Sequence, residues 1–394
     1  MVQRPAYILP LIVLSQFAGT SLWFSGNAIL PEISKAFQLQ QAALAVVTSS
    51  VLTGFIIGTF VFAVTAMADR FQPSYVFFLS SLLAATSNLL ILIPQQEIGL
   101  LILSRFSTGF FLAGIYPVGM KIAAEWYEKG LGKALGYLLG ALVLGTAFPH
   151  LLKQAESGYN WRTVLILTSS FASLGGLLML LFVPRGPFSK TSLHYSFKAF
   201  QQSFQSANFR AASFGYFGHM WELYAFWAFV PLMLSIYNEK QMLSLNIPFW
   251  SFIVIATGMM GCIVGGYLTK KIGSARVAYA AMTVSMCCCL LSYFSFELSP
   301  LFFLLFLFIW GFTVVADSPQ FSSIVAQTAV AENKGSALTI VTCIGFTITV
   351  IAIYTITFMY EQTDHAPWVF LFLAPGPLFG LWKLKPLLQE KLFA

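Results

Sequence analysis

An all-α membrane protein of twelve helices, arranged as two pseudo-symmetric six-helix bundles, is predicted by composition, by segment length and by an internal repeat. Of the 394 residues, 58% are hydrophobic and only 9% are charged, against roughly 25% charged in soluble domains, and the mean hydropathy is +0.79. A helix crossing about 30 Å of hydrocarbon needs about 20 apolar residues, and polar breaks divide the chain into twelve such segments. The repeat lies in the punctuation. Pro31 matches Pro231, Thr65 matches Gly266, Pro117 matches Pro319 and Gly132 matches Gly335, at offsets of 200, 201, 202 and 203 residues. A duplicated membrane unit is how many secondary transporters are built.

The elements follow in order. Span one, 7–30, follows Arg4 but runs well past the length of a signal-peptide core and shows no small-residue cleavage pattern, so it reads as a membrane helix closed by Pro31. Span two, 42–65, ends where Thr65 opens TAMADRF. Spans three and four, 73–94 and 98–122, lead to spans five and six, 133–153 and 161–184. Residues 185–210 form the longest polar interval, basic and poor in aliphatics, and the repeat changes copy across it. It is therefore the linker, which puts one bundle at 1–187, a cytoplasmic connection at 188–206 and a second bundle at 207–394. Span seven, 208–236, is closed by Pro231. Spans eight to twelve follow at 247–269, 275–295, 299–324, 336–359 and 366–384.

Lys and Arg are retained on the cytoplasmic side. With the N-terminus inside, 16 of the 21 basic residues fall on inner segments, Lys35, Lys153, Arg162 and Lys240 fall outside, and Arg105 lies within a helix. Both termini are thus expected in the cytoplasm of a cell whose inner (plasma) membrane holds the chain as a monomer. The net charge of +7 then reflects topology and anionic lipid, and no soluble basic face exists for nucleic acid. Cys287, Cys288 and Cys289 are consecutive, and Cys262 and Cys343 stand alone, so no metal-ligand spacing appears and packing accounts for them. No metal or cofactor is expected.

Six plus six helices, a basic central loop and the Asp69–Arg70 pair after span two resemble the major facilitator superfamily over essentially the whole chain. The loop signature of that family, a Gly, three residues, an Asp, an Arg or Lys and then Gly and basic residues, is occupied in the first copy by Thr65, Asp69 and Arg70, with Gln72, Pro73 and Ser74 after them, and in the second by Gly266, Lys271, Gly273 and Arg276, where Lys270 takes the acidic position. The resemblance implies that Asp69, Arg70, Lys270 and Lys271 belong to a cytoplasmic latch between bundles. It also extends to Arg105 in SRFSTGFFLAG and to Gly132, Gly136 and Gly140 in span five. In the family, span two packs against span eleven and span five against span eight across the bundle interface, so Gly54 and Gly58, Gly132, Gly136 and Gly140, and Gly258, Gly261 and Gly265 are expected at the gating surface or, alternatively, in ordinary tight packing.

Ionisable groups in hydrocarbon are costly and normally face a cavity or a partner. His219 and Glu222 in span seven share one helical face at i and i+3, lie near the midplane and can both titrate, so they are the first candidates for proton coupling. A His–Glu hydrogen bond that fixes packing is the alternative. Asp317, two residues before the helix-bending Pro319, joins them. Lys121 lies four residues after Pro117 in the matching helix and is expected either to pair with Asp317 or to share an inner gate, unless it snorkels to the cytoplasm. Arg105 cannot be discharged and must meet a carboxylate, backbone carbonyls or an anionic solute. Trp23, Tyr116, Trp221, Tyr224, Trp227 and Trp310 are mid-helix aromatics that either line a cavity for a partly apolar solute or pack the core, and His150 is expected as a satisfied histidine in the core.

No paired acidic or His–Asp cluster marks a membrane enzyme, no charge ring marks a channel, and no phosphate loop marks an ATP-driven pump. Secondary transport by alternating access remains. Uptake of a small anionic organic solute with protons leads, because Arg105 and Lys121 exceed the acids within the same half. Efflux of an amphipathic compound is the other expectation.

Overall fold

The computed structural model describes residues 5–36, 38, 43–93, 97–127, 131–155, 160–189, 197–330 and 334–389. Part of the expected linker, 190–196, lies outside them, as do both chain ends. The chain divides into two compact units, Met1–Tyr195 and Ser196–Ala394.

In the first unit the helices are α1 (Ile8–Thr20), α2 (Ser25–Ala28), α3 (Leu30–Ala36), α4 (Ala43–Val64), α5 (Met67–Arg70), α6 (Pro73–Leu89), α7 (Ile98–Leu112), α8 (Tyr116–Trp126), α9 (Leu131–Ala155) and α10 (Arg162–Phe182). The second unit holds α11 (Phe197–Gln205), α12 (Ala207–Gln241), α13 (Ile247–Ile272), α14 (Ser274–Ser295), α15 (Pro300–Ala316), α16 (Ser318–Thr328), α17 (Lys334–Gln362) and α18 (Pro375–Leu384). Eleven helical stretches among the described residues are long and apolar enough to cross a membrane. The first span is the exception.

That span was expected to be one helix over 7–30, but α1 has 13 residues, about 20 Å of rise, and the chain turns at 21–24 before α2. Pro31 does not close it either. It is the second residue of α3, where a missing backbone N–H costs nothing. Pro231 likewise lies inside the 35-residue α12 rather than at its end, because packed neighbours and local adjustment re-satisfy freed backbone groups within a membrane helix. Spans four and ten are each interrupted, at 113–115 and at Asp317, two residues before Pro117 and Pro319. The bend expected at Pro319 is present, and its counterpart occupies the equivalent place in the first unit.

The small residues of spans two and eight are used inside each unit rather than reserved for a gating surface. A Cβ on Gly58 would strike the Phe110 carbonyl, and one on Gly261 the Phe312 carbonyl. One on Gly109 would strike the Val51 carbonyl, and one on Gly311 the Val254 carbonyl. These four contacts are the same two contacts repeated at offsets of 202 and 203 residues, α4 on α7 and α13 on α15. Close backbone approach through glycine is the usual way membrane helices gain packing energy where lipid gives no hydrophobic drive. Gly132, by contrast, has open space around it.

Ala66, at the start of α5, has φ 50° and ψ 39°, the left-handed region that costs a residue with a Cβ about 1–2 kcal/mol. Ala66→Gly is therefore expected to raise stability by about 1 kcal/mol in thermal unfolding of the solubilised protein. In the same assay Gly109→Ala and Gly311→Ala should each lose about 1–3 kcal/mol. Gly266→Ala, which has nothing within 4 Å of the added carbon, should change stability by less than about 0.5 kcal/mol.

Candidate functional site

In the second unit α12 carries Glu222 into the interior, where the residue is 2% exposed. Its carboxylate accepts three hydrogen bonds. Trp310 Nε1 on α15 donates to Oε1 at 2.6 Å, Cys289 Sγ on α14 donates to Oε1 at 3.2 Å, and Ser285 Oγ on α14 donates to Oε2 at 3.0 Å. Ser285 and Cys289 are four residues apart and so share the α14 face that meets α12. The indole is itself set by Phe226, one turn beyond Glu222, at a ring separation of 4.6 Å. No cation pairs with Glu222 among the described residues.

One turn back on α12, His219 does not bond Glu222. Its Nδ1 lies 2.9 Å from Asp317 Oδ1, with both side chains almost fully buried. Asp317 reaches this position because the helix breaks there: it sits between α15 and α16, with Pro319 at the start of the latter. Tyr216 and Phe321 flank the imidazole at 6.1 and 5.7 Å. His219 Nε2 has no hydrogen-bond partner among the described residues.

The first unit holds the opposite charge. Arg105 on α7 is fully buried, and its two terminal nitrogens are met by neutral groups, while its Nε has no partner among the described residues. Its Nη2 donates to the Trp23 carbonyl at 2.7 Å and the Leu22 carbonyl at 3.4 Å, and its Nη1 donates to Asn88 Oδ1 at 3.1 Å and Ser25 Oγ at 3.3 Å. The break after α1 is what frees those carbonyls. Asn88 in turn donates to Ser169 Oγ at 3.1 Å, and Ser25 donates to Asn88 Oδ1 at 2.8 Å, so α2, α6, α7 and α10 meet around one guanidinium. Gly26 leaves the room: a Cβ there would lie 3.1 Å from Arg105 Nε.

At the end of the same helical span Lys121 Nζ lies 2.5 Å from Asp69 Oδ1. Lys121 and Asp317 are thus each paired within their own unit, with Asp69 and His219. Arg70, Lys270 and Lys271 are exposed at the ends of α5 and α13.

The aromatic candidates separate into groups. Trp23, Trp227 and Trp310 are fully buried and Tyr224 nearly so, with Tyr224 against Trp227 and Phe346 at about 5 Å. Trp310, expected against a solute, spends its one N–H on Glu222. Trp221 is half-buried and donates to the Phe372 carbonyl at 2.8 Å, and Tyr116 is also half-buried. His150 is buried, but its Nε2, expected to be satisfied, has no hydrogen-bond partner among the described residues.

Sequence reasoning passed over Ser285, Asn88, Ser25 and Gln16, and assigned Cys289 to packing. Hydroxyls and amides in apolar helices are common, and only their convergence on a charge distinguishes these. The i, i+4 spacing of Ser285 and Cys289 was the available signal. Gln16, fully buried on α1 with neither amide atom partnered among the described residues, stood out in the sequence only as a polar residue in an apolar run. An open apolar groove of about 330 Å³ between α13 and α15, lined by Met260, Phe308 and Phe312, lies on the exposed face of those helices and contains no charged group.

A family model described as Major Facilitator Superfamily matches residues 12–354. No curated protein sequence matches the chain significantly. Among solved structures, the fold is similar to that of a bacterial homologue of the human lysosomal transporter Spinster, inward-facing and unoccupied, with a TM-score of 0.68 and 13% identity over 97% of this chain and 95% of that one. It is similar to the human organic anion transporter MFSD10 (TETRAN), with a TM-score of 0.74 and 14% identity over 97% of this chain and 100% of that one. It is also similar to the E. coli fucose:proton symporter FucP, with a TM-score of 0.69 and 14% identity over 98% and 100%.

Arg105→Lys is expected to lower stability by about 1–3 kcal/mol in thermal unfolding, because a single ammonium cannot span the Trp23 carbonyl and Asn88 as the planar fork does. Asn88→Ala should cost a similar amount. The double variant should lose less than the sum, since both single changes break the same network.

Proposed function

Because the chain belongs to the Major Facilitator Superfamily, and is by that membership a multi-pass membrane transporter rather than an enzyme, we propose that it carries a small anionic organic solute inward together with protons, by alternating access across the plasma membrane. The observation that carries this reading is the buried Glu222 carboxylate, held by three donors and, among the described residues, by no cation. A group in that setting exchanges one proton at a time, and its change of charge in the interior biases the conformation around it. His219 and Asp317, one turn away and paired to each other, form the second proton-carrying element.

The anionic preference rests on Arg105. Its charge is balanced by carbonyls, an amide and a hydroxyl but by no carboxylate, which leaves the first unit with a positive interior that favours a negative solute. Since both terminal nitrogens are engaged, the attraction acts through the field and through the break that Arg105 holds open. Trp23, Tyr116, Trp221, Tyr224 and Trp227 remain the proposed aromatic lining, of which half-buried Tyr116 and Trp221 keep the most free surface. The Asp69–Lys121 pair, with Arg70, Lys270 and Lys271, is assigned to the cytoplasmic gate, and both termini to the cytoplasm. The similar folds of an organic anion transporter and of a proton symporter are compatible with this assignment.

A thermal-shift screen of the purified protein against organic anions, sugars and amphipathic toxicants identifies the ligand. In proteoliposomes loaded with a pH dye, adding that ligand outside should then acidify the lumen. Glu222→Gln should reduce pH-gradient-driven accumulation at least about tenfold while leaving ligand exchange intact. Undiminished accumulation by that variant would refute the coupling assignment.

A further inference from the structure

The two oxygens of Glu222 are not equivalent. Oε1 accepts from Trp310 Nε1 and Cys289 Sγ. An indole N–H is a donor only, so this oxygen is occupied whatever the charge on the carboxyl group. Among the described residues Oε2 accepts from Ser285 alone, and a hydroxyl both donates and accepts. Ser285 Oγ also lies 3.3 Å from the Met282 carbonyl, one turn back on α14. The serine hydrogen therefore has two acceptors within reach of a single bond rotation.

We propose that Ser285 is a hydrogen-bond switch that lets Glu222 take up and release its proton at Oε2 without moving, with Trp310 as the positioning residue that reserves Oε1. This rests on the reading of Glu222 as the proton carrier and adds which oxygen is used and what answers it. In the charged state the serine hydrogen points at Oε2. When a proton from the aqueous side bonds to Oε2, the new O–H donates to Ser285 Oγ and the serine hydrogen turns to the Met282 carbonyl. One O–H bond is made, none within the protein is broken, and the carboxyl group passes from −1 to neutral. Both states keep every polar atom partnered, which matters because an unpaired donor or acceptor in this interior costs about 1–3 kcal/mol.

The other groups facing Glu222 do not compete for this role. Cys289 is on Oε1 and Cys288 is its neighbour on α14, and both interact electrostatically with the carboxylate. Asp317 also faces Glu222, as an acid, but is engaged with His219. His219 on α12 has its Nδ1 turned to Asp317 and away from Glu222.

The test is infrared difference spectroscopy of the purified full-length protein between acidic and alkaline buffer, with no transported ligand present. A protonated-carboxyl C=O band that disappears in Glu222→Gln is expected. In Ser285→Ala the band should remain but move to higher frequency, since the acid loses its partner, and Ser285→Thr should restore the wild-type position. Trp310→Phe should also raise it, through loss of the donor on Oε1. The Cys289 S–H band should shift with the same titration in wild type and hold still in Glu222→Gln. A Glu222 band that ignores both Ser285→Ala and Trp310→Phe would overturn the switch and leave the carrier standing. Absence of any Glu222 band between the two buffers would overturn both.

Discussion

Hydrocarbon offers no hydrogen bonds, so every polar group carried into it must be met by the protein itself. The two units meet that demand in opposite ways. The first balances a fixed positive charge, Arg105, with backbone carbonyls released by a break in its first span, and adds Asn88 and Ser25. The second balances negative charge with side-chain donors on intact helices and with an imidazole that reaches a helix break. A guanidinium cannot shed its proton, so its setting is permanent and structural. A carboxyl group and an imidazole can change state, so theirs is where chemistry is available.

The same constraint explains the placement of the helix breaks. An interrupted helix in a membrane is tolerated only where its freed groups find partners within the protein. The break at 21–24 is filled by Arg105, and the one at Asp317 presents a carboxyl group to His219. The glycine contacts obey a related rule. Where α4 meets α7 and α13 meets α15, glycine brings backbone against backbone, and the equivalence of the contacts shows that the duplicated unit preserved its tightest internal packing while its charged residues diverged. Arg105 has Leu307 at the matching place, and Asp317 has Ile115.

Much of this was legible beforehand where the signal is additive along the chain. The spans after the first, the repeat and the presence of Glu222, His219, Asp317 and Arg105 as ionisable residues in apolar helices all came from counting apolar runs and noting exceptions. Partners were less accessible. Lys121 was matched by symmetry to Asp317 or to an inner gate, and nothing in the sequence signalled that it meets Asp69, 52 residues away in its own unit. Trp310 looked like a ligand contact because aromatics are ambiguous until the direction of the N–H is known. Cys289 and Ser285 looked like filler because a weak donor in a helix has no signature of its own.

What the chain alone determined, then, is that it lies in a bilayer as a duplicated helical unit with a handful of ionisable groups in its interior. Transfer free energy and helix length depend on composition over about twenty residues and on nothing else. What only the tertiary structure decided is who answers each charge. Side chains on different helices are brought together by packing, over separations of 63 residues for Ser285 with Glu222 and 98 for Asp317 with His219, and no periodicity within one helix encodes which face of a distant helix will be opposite.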